Sequence, residues 1–358
     1  MKKVVAVLLT AMLLLTGCGS SASSEEAIQK YGSDTLKIYN VGEYIDTSII
    51  SDFEHEFGVK IVYEVFDSNE MMYTKLQAGD SYDILVPSDY MIQRLIGENA
   101  LQPLDLSMIP NIENLTDEVK DLPFDPDNTY SVPYFWGSVG IVYNKNVVDP
   151  ADLEAEGWEI LRDTKYAGKI YMYDSERDSF MVAFKALGYS MNTQNEAEIQ
   201  EAYQWLMEQR QTMNPVYVAD EVIDGMINGN KDMAVVYSGD ATTILMENEE
   251  MDFFMPKEGT NLWVDSMVIP ANATNPKLAN EFINYMLDYD IAYTNSEWVG
   301  YASPHKEVLA DLSGMGGYFE GNVAYVPRQG YEMDEVFEDN QVLKERLTQL
   351  WIKVKAGQ

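Results

Sequence analysis

Trp263 and Asp265 stand two residues apart in the stretch Leu262–Pro270. In extended chain, residues at that spacing put their side chains on one face. An indole face beside a carboxylate is a receptor for an organic ammonium group. The ring attracts the cation by ~0.5–2 kcal/mol as water is excluded, and the carboxylate accepts a charge-assisted hydrogen bond about twice as strong as a neutral one. The same nine residues equally suit a buried tryptophan with Asp265 opening a turn. A second acidic group, Asp174, Ser175, Glu176 and Asp178, falls between a predicted strand end at Tyr173 and a predicted helix from Phe180. Asp178 or Ser179 could be that helix's N-cap, which leaves the remaining acids to solvent or to a ligand.

Catalytic patterns are sparse, and no catalytic residue, metal ligand or cofactor is assigned. Of the two histidines, His55 sits in the acidic run Asp52–Glu56, a solvated helix face, and His305 follows Pro304 in a turn. Gly168-Lys169 is followed by Ile170, so no phosphate-cradling loop is present, and there is no Gly-x-Ser-x-Gly elbow. An extracytoplasmic hydrolase with paired carboxylates is the alternative from another class, but with 59 acidic residues chance pairs are expected.

A chain of 358 residues is too long for one ordinary core, so two lobes are expected. Its start, Met1-Lys2-Lys3, an apolar run from Val4 to Leu15 and then Gly17-Cys18, reads as an export signal, too short to span a membrane. The single cysteine at the cut resembles a bacterial lipobox, with Cys18 acylated as the first mature residue and the protein held at the outer face of the cell membrane. A lone cysteine forms no internal disulfide, so the fold depends on its core. From Cys18 to residue 33 a flexible polar linker is expected, most evidently over Gly19–Glu26. The net charge of -35 repels nucleic acid and anionic lipid and attracts cations.

The elements that must hold the candidate residues follow from periodicity. Thr35–Asn40 and Val59–Phe66 read as strands, with a helix between them that sets Ile49, Ile50, Phe53 and Phe57 on one face and stops at Gly58. Ser68 or Asn69 caps a helix to Leu76, Tyr82–Val86 is a third strand, and Ser88 or Asp89 caps a helix to Ile96. Alternating strands and helices mean a parallel sheet, whose ligands bind beyond the carboxyl ends of the strands. Those ends are Asn40–Tyr44 and Val86–Tyr90. The aromatic, β-prone run Tyr130–Asn144 is the first passage between lobes and Leu262–Pro270 the return. Met233–Tyr237 is a strand of the second lobe, and the last helix puts Leu343, Leu347, Leu350, Trp351 and Val354 on one side.

Several stretches together resemble the spermidine/putrescine-binding proteins of bacterial ABC importers. They are Tyr39-Asn40 with Glu43-Tyr44, Ser68-Asn69-Glu70, Tyr82-Asp83 with Val86-Pro87-Ser88, Pro133-Tyr134 with Trp136-Gly137, Trp263-x-Asp265-Ser266 and Ile269–Ala273. The likeness runs from about Thr35 to Lys355. It implies an α/β type II periplasmic-binding-protein clamshell, a monomer that delivers a polyamine to a permease and ATPase and performs no chemistry. Lobe 1 would be 34–140 plus 266–311 and lobe 2 141–265 plus 312–358, after a signal at 1–17. By position, Glu43, Asp178 and Asp265 match the family's partners of cationic nitrogen. Tyr44, Tyr90, Tyr237, Trp263 and Tyr301 match its aromatic walls, and Ser88 matches a polar contact. Two departures bear on the number of amines read. Val41 stands where the family usually has Trp, and Ser175 stands where spermidine binders often carry Asp, with Asp174 or Glu176 as possible substitutes. Another organic cation or amine is the alternative ligand.

Overall fold

The computed structural model describes residues 22–357; the expected signal and Cys18 lie outside them. Among the described residues there are nine strands: β1 Thr35–Val41, β2 Lys60–Phe66, β3 Ile84–Leu85, β4 Ser131–Asn144, β5 Ile170–Tyr173, β6 Val216–Val218, β7 Met233–Tyr237, β8 Met251–Phe254 and β9 Leu262–Val268. They form one path in the order β2-β1-β3-β9-β4-β7-β5-β6, with β8 on the far part of β4. The parallel pairing expected of the first half holds, β1 with β2 and β3, and in the second half β5 also runs parallel to β6 and β7. The middle is antiparallel: β9 runs against both β3 and β4, and β4 runs against β7.

β4 joins the halves. Ser131–Ser138 pair with β9, and Val139–Tyr143 pair with β7. Its near-continuous burial explains why the sequence there is aromatic and β-branched rather than alternating. In one lobe Ile38, Ile49, Phe53, Ile84, Phe282 and Ile283 share a buried cluster, with Tyr39, Phe66, Met72 and Ile92 on the opposite sheet face. In the other lobe Ile141, Phe180, Phe184 and Trp205 pack with Leu347, Leu350 and Trp351 of the final helix, Gln341–Ala356.

The stretch expected to be a flexible linker as far as residue 33 is helical over Ser24–Tyr31. Ser23 and Glu26 form a capping box, and Ala27 and Tyr31, four residues apart, are buried against the first lobe. The polar composition concealed a helix with a narrow apolar stripe. The helix expected from Phe180 starts at Glu176, and its N-cap is Ser175, whose hydroxyl accepts the Asp178 N–H at 3.3 Å. Capping by Ser175 frees the carboxylate of Asp178 from that role. His305 is buried and caps the helix Lys306–Ser313.

Candidate functional site

A hollow of about 720 Å³ opens between the lobes. It lies beyond the carboxyl ends of β1, β3 and β7 and alongside β9. Trp263 and Asp265 leave β9 on one face and both line it. The register sets Trp263 opposite Gly137, where a Cβ would sit 2.3 Å from the indole. Only glycine leaves the ring that room.

The rings form a continuous wall. Centroids are separated by 5.8 Å from Tyr44 to Tyr301, 5.1 Å from Tyr301 to Trp263, 6.3 Å from Trp263 to Tyr237 and 4.7 Å from Tyr237 to Tyr173. Three carboxylates are fastened to this wall by phenol donors. Tyr44 Oη donates to Asp265 at 2.7 Å, and Tyr237 Oη donates to Asp178 at 2.8 Å. Asp240 accepts from Tyr173 at 2.5 Å and from Tyr301 at 3.0 Å. Each phenol bond fixes an acid while leaving lone pairs for a ligand donor. Asp178 is 3% exposed, and its other oxygen, Oδ1, has no partner.

Burial pushes the carboxyls of Asp178, Asp240 and Asp265 above the usual range, and the tyrosine bonds oppose it only in part. Asp89, which also lines the hollow, is raised by burial to about 7 although it accepts N–H bonds from Val264 and Tyr90. Buried acids of this kind are unfavourable when ionised and uncompensated, and they are complemented by a cation.

Every residue expected at the site lines the hollow, with two exceptions. Glu43 is exposed at its rim, with a left-handed backbone (φ 52°) that glutamate rarely adopts. Ser88 exchanges hydrogen bonds with Asn69. Ser175 is present as both cap and lining. The exceptions are its proposed substitutes. Asp174 accepts from Trp351 Nε1 at 3.2 Å and from Lys355 at 2.6 Å, and Glu176 accepts from Thr348 at 3.1 Å. Both point to the final helix, because residues flanking the Ser175 cap turn away from the hollow. Asp67, Asp89, Asp220 and Asp240 also line the hollow without having been expected there, and of these Asp240 is the one held by two phenols of the wall. It sits in the first turn of the helix Ser238–Glu247 directly after β7, and the one sequence signal for it is that ligands gather at strand carboxyl ends.

Gly239 lets Tyr301 approach, since a Cβ there would lie 1.9 Å from the ring. Gly239→Ala should therefore displace Tyr301 from Asp240, lower thermal stability by about 1–3 kcal/mol and weaken ligand binding. Calorimetry of the variant, free and with ligand, reads both effects.

Residues 48–314 match the bacterial extracellular solute-binding proteins. The chain belongs to that family. A spermidine/putrescine-binding periplasmic protein of Salmonella typhimurium is 34% identical over 293 residues, which is 81% of this chain and 83% of that one. Among solved structures, the spermidine/putrescine ABC transporter substrate-binding protein PotD of Streptococcus pneumoniae superposes with a TM-score of 0.79 at 36% identity, covering 91% of this chain and 99% of that one. The TpPotD lipoprotein of Treponema pallidum gives 0.77 at 29%, covering 90% and 99%. The two-lobe fold of this solute-binding protein is thus that of PotD structures.

Proposed function

We propose that this solute-binding protein is the receptor of a polyamine ABC importer, taking spermidine or putrescine between its lobes and delivering it to the permease and ATPase without chemical change. One observation supports this most: tyrosine-held carboxylates and an unbroken aromatic wall, drawn from both halves of the chain, face one hollow. In this reading Asp178, Asp240 and Asp265 hold ammonium groups. Glu43 attracts them at the rim, and Tyr44, Tyr237, Trp263 and Tyr301 cover the methylenes, with Ser88 and Ser175 as polar contacts. Covering each CH₂ contributes roughly 0.8 kcal/mol. Ligand neutralises the buried acids only when both lobes surround it, and that differential affinity drives closure.

The lobes are taken as 34–140 with 266–311 and 141–265 with 312–358. The last crossing runs through 312–325, where Leu312, Phe319 and Tyr325 are buried with Val119 and Trp136. The receptor is read as a monomer tethered through Cys18 to the outer face of the cell membrane. The likeness to a Treponema lipoprotein supports the tether. Among the described residues no helix is long and apolar enough to cross a membrane.

A thermal-shift series with putrescine, spermidine, spermine and free amino acids tests the reading. Ligand at 100 times its Kd should stabilise the fold by ~2.7 kcal/mol, a rise of several degrees. Trp263→Leu should remove most of that rise. Amino acids shifting the protein while polyamines do not, or mass spectrometry detecting a cleaved polyamine, would replace this reading with another.

A further inference from the structure

One cation already lies in the hollow. Arg177, in the first turn of the helix Glu176–Ala186, carries its guanidinium out of the second lobe. The guanidinium carbon lies 3.5 Å from the ring centroid of Tyr90, a face-on cation–π contact, and 5.9 Å from that of Phe337. Tyr90 belongs to the first lobe, in the helix Asp89–Gly97. Arg177 Nη2 stands 3.8 Å from Glu70, also of the first lobe, and Glu70 is ion-paired to Lys344 as well. Arg177 Nη1 is buried with no partner. Arg177, Tyr90 and Phe337 all line the hollow, and Glu70 does not.

Tyr90 is thus the one ring of the expected wall whose face is already taken by a positive charge of the protein. The rings from Tyr44 to Tyr173 carry the free carboxylates, and the Tyr90–Phe337 side carries a fixed guanidinium. We propose that Arg177 is a specificity-determining residue that excludes an ammonium group from the Tyr90 side, so that the hollow selects amines with few, closely grouped charges over longer ones with more nitrogens. This rests on the polyamine reading and refines it. Discrimination by an introduced repulsion needs no loss of the attractive contacts to the preferred ligand. Glu70 keeps the guanidinium in place across the lobes, so it acts as a positioning residue for Arg177.

Isothermal titration with putrescine, spermidine and spermine tests it on the wild-type protein and on Arg177→Gln, Arg177→Lys and Glu70→Gln. In Arg177→Gln the ratio of spermine to putrescine affinity should move tenfold or more toward spermine. Arg177→Lys, which keeps the charge, should stay near the wild-type ratio. Glu70→Gln removes a partly exposed acid and retains the Arg177 side chain while releasing its guanidinium, so it remains readable should Arg177→Gln fold poorly. It should move the ratio about threefold in the same direction. Ratios unchanged in Arg177→Gln and Glu70→Gln, with all three amines still bound, would overturn this inference alone. A wild-type protein that takes none of the amines would overturn the polyamine reading and this inference with it.

Discussion

Asp265→Asn should weaken polyamine binding by two orders of magnitude while leaving the empty protein folded. The substitution keeps the shape of the side chain and one carbonyl oxygen to accept the Tyr44 hydroxyl, now at 2.7 Å from the carboxylate. What it removes is the negative charge, and it puts an amide donor where a ligand nitrogen would donate. Truncating one partner of a buried charge pair costs ~3–5 kcal/mol, and about 3 kcal/mol is already more than a hundredfold in Kd. The free protein should be no less stable, because burial already raises this carboxyl above its ordinary range. Titration calorimetry and a melting curve separate the two effects. A Kd within threefold of wild type would mean that the ammonium sits elsewhere. A collapsed melting temperature would mean that Asp265 chiefly holds Tyr44 and β9 together.

The sequence already contained most of what locates Asp265. The run Tyr130–Asn144 and the stretch Leu262–Pro270 are too β-prone for loops. Each emerged as one strand of a crossing pair, and the two-residue spacing of Trp263 and Asp265 became a shared face. Asp240 was not legible in the same way. An acid in the first turn of a helix has a sufficient local reason to be there, and nothing local reports that Tyr173 and Tyr301, far off in the chain, donate to it. Asp174 and Glu176 fail for the converse reason. Spacing alone could not say on which side of the Ser175 cap they would project, and the final helix, more than 170 residues away, supplies the partners that settle it. Nothing local marks Arg177 either, a single basic residue within an acidic run. Only the packed lobes set it on Tyr90.

Polyamine affinity should fall at least tenfold between pH 7 and pH 5 and level off at higher pH. Ligand ammonium groups resemble lysine, with pKa about 10, and stay charged throughout, so the change lies in the protein. Burial raises Asp178, Asp240 and Asp265, and brings Asp89 to about 7. In an unfolded chain such groups titrate near 3.9. A carboxyl raised on folding favours the empty fold when protonated. That contribution is fully present below about pH 4 and is lost as pH climbs through the folded values, up to about 7 for Asp89. The empty site should therefore become less stabilising over that interval, while bound polyamine favours the ionised acids and returns the loss. Binding must then expel protons below pH 7, and the slope of log Kd against pH equals the number expelled. Calorimetry in two buffers of different ionisation enthalpy counts them directly. A flat profile with no proton release would mean that the acids are already ionised in the empty cleft. In that case solvent in an open resting state, rather than the tyrosine donors, would be what keeps their charges tolerable before the ligand arrives.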